Sequence, residues 1–176
     1  MTDFRGELLA RFEWIGGHAN MLGLFGDGRF LAATADALSE PFADAGITKV
    51  AGIEARGFVL GTAVALRLGV GFVPIRKAGA IHPGPKARRM TEPDWRGARH
   101  ELVVQRASLA DDDRVLLVDD WAEVGSQATA ARSLIEECGA AYAGLSLLVD
   151  QLDDDMRDRL RPVVAVVSHT ELPPSA

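Results

Sequence analysis

Residues 115–127 read VLLVDDWAEVGSQ, an apolar run that ends on two adjacent carboxylates and then turns at Gly125-Ser126. Adjacent like charges repel, and the end of a buried strand is a costly place for them. A strand, a short glycine-containing turn and a following helix present a nest of backbone N–H groups at a helix N-terminus, which attracts phosphate. Asp119 and Asp120 cannot themselves bind phosphate, so as ligand-binding groups they must address something else. An ionised carboxylate only accepts hydrogen bonds, and the vicinal hydroxyls of a sugar supply matching donors. Phosphate in the turn formed by Glu123, Val124, Gly125, Ser126, Gln127 and Ala128, with a diol on the acids, describes a ribose 5-phosphate. The bland alternative is an acid pair that caps the next helix and meets solvent at a strand end.

The elements needed to place these residues are legible as alternation. Apolar stretches at 47–53, 69–75, 114–120, 141–149 and 162–168 carry strand character. Their near-continuous apolar runs suit strands covered on both faces. Helical patterns at 30–45, 58–68, 125–138 and 153–160 lie between them, and Cys138-Gly139 reads as a helix stop. This order predicts right-handed βαβ crossovers and an α/β fold with an open parallel sheet flanked by helices. Ligands of such sheets bind beyond the carboxyl ends of the strands, where Asp119 and Asp120 fall. Residues 100–106, HELVVQR, read as one more strand, paired with 114–120 through a turn at 110–113. Residues 77–99 are rich in Gly, Pro and charge without a period, and a loop of that length reads as a functional lid.

Composition bounds the rest. A chain of 176 residues, 48% apolar and 25% charged, has the length and balance of one globular domain. We divide it into a hood region (1–30), a flexible loop (78–99) and a short disordered tail (171–176). The net charge of −6 argues against nucleic acid as a partner. One cysteine, Cys138, leaves no intrachain disulfide or cysteine-cluster zinc site and fits a reducing cytoplasm. No signal-peptide core or membrane-length apolar run is present, so the expectation is a cytoplasmic protein without a membrane partner. No His, Cys and carboxylate spacing suggests a metal held by the protein.

The stretch IEARGFVLGTAVALRLGVGFVPIRKAG (53–79), followed by RVLLVDDWAEVGSQATAA (114–131), resembles the type I phosphoribosyltransferases, most closely the adenine phosphoribosyltransferases. The motifs occur in order and at the right spacing across about half the chain. The resemblance implies transfer of a phosphoribosyl group from phosphoribosyl pyrophosphate to a purine-type nitrogenous base, adenine by default, with release of pyrophosphate. It implies that Asp119 and Asp120 hold the ribose hydroxyls and that residues 123–128 wrap the 5′-phosphate. Glu54, Ala55 and Arg56 would form the pyrophosphate turn, with a non-proline cis peptide between Glu54 and Ala55. Arg56, Arg76 and Lys77 would supply positive charge, the last two across a homodimer interface. Mg2+ would arrive with the pyrophosphate, held mostly by substrate and water.

The chain also departs from the family's pattern. Glu123 stands in a phosphate loop that usually carries small hydroxyl residues. The usual base-walling segment is replaced by residues 12–30, where Trp14, His18, Asn20 and Phe25 either build a different base pocket or simply pack the hood. In the loop, Glu92 and Asp94 are the candidates for acid–base catalysis, and Arg96 sits near the place of the family's acid. His82 could touch pyrophosphate, though a solvated loop histidine is the plainer reading. Trp121 either lines the base pocket or packs in the core. These departures keep open a different base, or a non-catalytic regulator that binds phosphoribosyl pyrophosphate or a nucleotide.

Overall fold

The structure is a computed structural model that describes residues 4–79 and 83–174. His82 and part of the expected lid therefore lie outside the described residues. The N-terminal region holds helix α1 (Phe4–Arg11), a short hairpin of β1 (Trp14–Ile15) and β2 (His18–Ala19), and helix α2 (Met21–Phe25). Helix α3 (Gly28–Ser39) leads to β3 (Lys49–Ile53), α4 (Arg56–Leu68) and β4 (Gly71–Lys77). Then come β5 (Lys86–Met90), β6 (Glu101–Gln105), β7 (Arg114–Ala122), α5 (Ser126–Glu137), β8 (Ala141–Asp150), α6 (Asp154–Arg159) and β9 (Val163–Ser168).

Seven strands form one sheet in the order β5-β6-β4-β3-β7-β8-β9. The run from β4 to β9 is parallel, as the uninterrupted apolar stretches imply. The β5–β6 edge is antiparallel, so the sheet is mixed rather than wholly parallel. Strand β6 does not pair with β7 as the sequence suggested; Arg76 and Lys77 of β4 face Val103 and Leu102 of β6. The physical reason is the segment before it. Lys86–Met90 extends and pairs along all five of its residues with β6, which turns 86–105 into a hairpin. The sequence of β5, KARRM, has no apolar alternation and offers only Ala87 to the core, and that hid the strand.

Side chains alternate across the sheet, and each face has its own core. Val115 and Leu117 of β7 point to the α5 side, with Ala51, Ile53, Val73 and Ile75. Leu116 and Val118 point to the other side, with Leu8, Phe30, Leu60 and Val64 of the helices. All four β7 side chains are fully buried, which fixes the register of the strand that ends in the acid pair. Within the stretch expected as a tail, residues 171–173 are tied to the hood. The Trp14 indole N–H donates to the Pro173 carbonyl at 2.7 Å, Arg5 pairs with Glu171, and Ser168 and Glu171 cap the last turn reciprocally.

Candidate active site

Two adjoining chambers open beyond the carboxyl ends of the parallel strands, one of about 670 Å³ and one of about 450 Å³. Arg56, Asp119, Trp121 and Gln127 line both. The larger chamber is walled by Glu123, Val124, Gly125, Ser126, Gln127 and Ala128, and by the hood residues Trp14 and His18. The smaller takes Glu54, Ala55, Lys77, Asp120 and Asn20. Residues from several separate stretches of sequence thus converge, with Asp119 at the junction.

The turn after β3 sets this geometry. Only Glu54 and Ala55 separate β3 from α4, and the peptide between them is cis, as the resemblance implied. Gly57 lets the first turn of α4 lie against the end of β7, since a Cβ there would stand 3.2 Å from both Asp119 Oδ1 and the Val118 carbonyl. Glu54 Oε2 accepts the Lys77 backbone N–H at 3.0 Å and lies 3.6 Å from Arg76 Nε, so it clamps β3 to β4. Arg76 lines neither chamber, while its neighbour Lys77 does. Successive strand residues face opposite sides, which parts the two cations.

Asp120 is 2% exposed, and Arg56 Nε approaches its Oδ2 to 3.0 Å. The Arg56 N–H is not aimed along a hydrogen bond, and Oδ2 has no donor among the described residues. Arg56 therefore answers Asp120. Burial pushes the Asp119 carboxyl well above the usual carboxylate range, and the neighbouring Asp120 charge adds to that. Burial also raises Asp120, against the pull of Arg56. Asp119 Oδ1 meanwhile accepts the Asp120 backbone N–H at 3.0 Å. An acid pair held this way favours a ligand that brings hydrogen-bond donors or positive charge.

The loop between β7 and α5 turns at Gly125, whose φ of +67° is left-handed and favours glycine. A Cβ there would also stand 3.0 Å from Leu152 Cδ2 and Met156 Sδ. The loop is thus wedged between α5 and the segment after β8, with Ser126, Gln127 and Ala128 at the start of the 12-residue α5 lining the chamber. Burial raises the Glu123 carboxyl first, nearby Asp94 raises it further, and Arg96 and Arg56 pull the other way.

Asp94 and Arg96 come from the tip of the β5–β6 hairpin, which reaches the larger chamber together with Trp95. The two acid–base candidates fare differently. Glu92 is exposed, pairs with Arg99 and lines neither chamber, because it lies on the outer arm of the hairpin. Asp94 reaches the chamber, but its Oδ1 accepts the Arg96 and Ala98 backbone N–H groups at 2.9 and 2.8 Å, and Oδ2 lies 3.2 Å from His100 Nε2. Partial burial works against ionisation, yet these bonds hold Asp94 below its ordinary range. A carboxylate so engaged is a poor proton donor and a good brace for the tip. Trp95, beneath the Arg96 guanidinium at 4.4 Å, is a chamber wall to which the sequence reading gave no role. Gln151 and Asp153 were missed as well. Their only signal was position, just past the carboxyl end of a parallel strand.

Of the hood candidates, Trp14 and His18 line the larger chamber, Asn20 lines the smaller and caps α2 through the Gly23 N–H, and Phe25 is buried in the core. Trp14 and Trp121 meet edge to face with centroids 6.0 Å apart, and Phe12 packs against both.

The profile of the phosphoribosyl transferase domain matches residues 27–169. The chain belongs to the phosphoribosyltransferase family. Among its relatives, adenine phosphoribosyltransferase of Streptomyces coelicolor is 43% identical over 142 residues, 81% of this chain and 76% of the relative. That of Maricaulis maris is 42% identical over 127 residues, 72% of this chain and 71% of the relative. In three dimensions this phosphoribosyltransferase superposes on the adenine enzyme of Rhodothermus marinus with a TM-score of 0.83 at 29% identity, covering 96% of this chain and 99% of that one. The Giardia lamblia adenine enzyme complexed with 9-deazaadenine gives 0.83 at 28%, covering 94% and 97%.

Proposed function

We propose that this phosphoribosyltransferase moves the phosphoribosyl group of phosphoribosyl pyrophosphate onto adenine and releases pyrophosphate. The observation that carries this reading is the paired chamber with Asp119 at its junction. The α5-start loop, residues 123–128, lines one chamber, and the Glu54–Arg56 turn with Lys77 of β4 lines the other. A ribose carrying a 5′-phosphate and a 1-pyrophosphate needs anion sites on both sides of its diol. Asp119 and Asp120 accept the 2′- and 3′-hydroxyls, residues 123–128 take the 5′-phosphate, and Glu54, Ala55, Arg56 and Lys77 border the pyrophosphate. Arg76 acts at one remove, through the Glu54 clamp. The names of the relatives support adenine as the base.

Transfer of this kind depends on holding the two reactants in line and on neutralising charge that develops on the departing pyrophosphate. Arg56 and Lys77 are placed for the second task, and Trp14, Trp121 and Trp95 enclose the chamber for the first. Among the described residues no cluster of three metal-ligating side chains exists. Mg2+ would be held mainly by substrate oxygens and water, with Asp120 Oδ2, which has no donor among the described residues, available to its water shell. Bound so, Mg2+ would supply charge neutralisation of the pyrophosphate.

We place the protein in the cytoplasm, on its single free cysteine, and as a homodimer, on the apolar Val59 and Leu66 that α4 leaves exposed. Among the described residues no helix is long and apolar enough to cross a membrane. The deciding experiment is pyrophosphate release with phosphoribosyl pyrophosphate, Mg2+ and a panel of bases. Turnover with adenine and formation of AMP are expected; tight binding of phosphoribosyl pyrophosphate without turnover of any base would overturn the enzymatic reading.

A further inference from the structure

Gln151 follows the last residue of β8, and its backbone N–H donates to the Ala122 carbonyl at 2.9 Å. That bond sets it beside the end of β7, one residue past Trp121. Its side chain lines the larger chamber, is exposed, and accepts the Trp121 indole N–H on Oε1 at 2.9 Å. An indole nitrogen can only donate, so the carboxamide is not free to turn over: its oxygen faces Trp121. The amide NH2 and the second lone pair of Oε1 remain for a ligand.

Trp121 lies two residues beyond Asp119 in β7, which is roughly 6–7 Å along a strand. A ring joined to C1 of a ribose held at Asp119 falls in that range. The walls there, Trp14 and Trp121, suit a flat ring. A carboxamide that offers one donor and one acceptor side by side matches the edge of adenine, where a ring nitrogen accepts and the exocyclic amine donates. A 6-oxopurine has a carbonyl in place of the amine and sets an acceptor against Oε1. Turning the amide to relieve this would bring its NH2 against the Trp121 N–H.

Resting on the adenine reading above, we infer that Gln151, locked by Trp121, is the residue with which this site distinguishes 6-aminopurines from 6-oxopurines. It contributes to base selection and not to the transfer step.

The test is steady-state kinetics with adenine and with hypoxanthine at saturating phosphoribosyl pyrophosphate, for the unsubstituted enzyme, Gln151→Leu and Trp121→Phe. The Leu variant should lose roughly five- to a hundredfold in kcat/KM for adenine and lower the adenine-to-hypoxanthine ratio, with KM for phosphoribosyl pyrophosphate and Tm unchanged. Trp121→Phe frees the amide to turn, and should lower the same ratio by raising hypoxanthine use relative to adenine. A ratio that stays at its original value in Gln151→Leu overturns the inference, even if all rates fall together, because Gln151 would then only position Trp121. Failure of the adenine reading is a separate result, visible before any substitution as absent turnover of adenine, and it would take this inference with it.

Discussion

Asp119 is the side chain at which binding and stability pull in opposite directions. Its folded pKa lies above the unfolded value of about 3.9, so between those two values the folded chain holds more protons than the unfolded one. Stability therefore falls as pH rises through that window, and the buried acid is a burden on the empty protein above it. Asp119→Asn should raise the Tm of the ligand-free protein at pH 7, by roughly 2–4 °C for each kcal/mol relieved. The same change should weaken phosphoribosyl pyrophosphate about tenfold or more, since a charge-assisted hydrogen bond is worth roughly 1.5–3 kcal/mol. Calorimetry and thermal melts on one sample read both; unchanged affinity would remove the diol from Asp119. Glu123 raises the opposite issue. A carboxylate about 6 Å from a phosphate dianion repels it by roughly 1–3 kcal/mol at an effective dielectric of about 40–80. Glu123→Ala should tighten ribose 5-phosphate about tenfold, with the gain shrinking in high salt. Weaker binding by the alanine variant would mean that Glu123 is held off the phosphate by Arg96, and that the 5′-phosphate lies elsewhere.

Among the elements, the β5–β6 hairpin has the least legible register in the sequence and the clearest consequence in the structure. Its arms are held by five residue pairs and by Arg88–Glu101 and Arg89–Glu137, while its tip depends on Asp94. Protease cuts between residues 78 and 99 should thus spare 86–90, cluster in 92–99, and diminish when phosphoribosyl pyrophosphate and Mg2+ are added. Asp94→Ala should increase cutting at the tip without lowering Tm by more than a degree or two, because the hairpin lies at the sheet edge. Equal cleavage with and without ligand would leave the tip a passive wall. Strands β3, β4, β7, β8 and β9 were readable because helices cover the sheet on both sides, so that apolar runs coincide with strands. Strand β5 was not, because an edge strand of Lys, Arg and Met carries no such pattern, and β6 was then assigned the wrong neighbour. That the acid pair, the loop at 123–128 and the Glu54–Arg56 turn belong to one site was legible because each is contiguous and falls at a strand end. Partnerships across the fold, such as Arg56 with Asp120 or Asp94 with His100, depend on which strand ends lie together, and no local spacing records that.

Over the whole molecule, a net charge of −6 surrounds a site meant for a heavily anionic substrate. The cations that line the chambers are Arg56, Lys77 and Arg96, set beside six carboxylates. Two cores on opposite faces of the sheet keep the strand ends in place, and truncating one of their central residues should show it. Leu117→Ala, fully buried under the larger chamber, should cost about 2–5 kcal/mol and be seen as a lower midpoint in urea. One feature of the chambers extends to how the molecule can be observed. The chain has three tryptophans, and Trp14, Trp95 and Trp121 all line the larger chamber, one from the hood, one from the hairpin tip and one from the strand end. Light emitted on selective excitation of indole therefore comes wholly from the walls of the site, and the unlabelled protein is its own optical probe for whatever enters there.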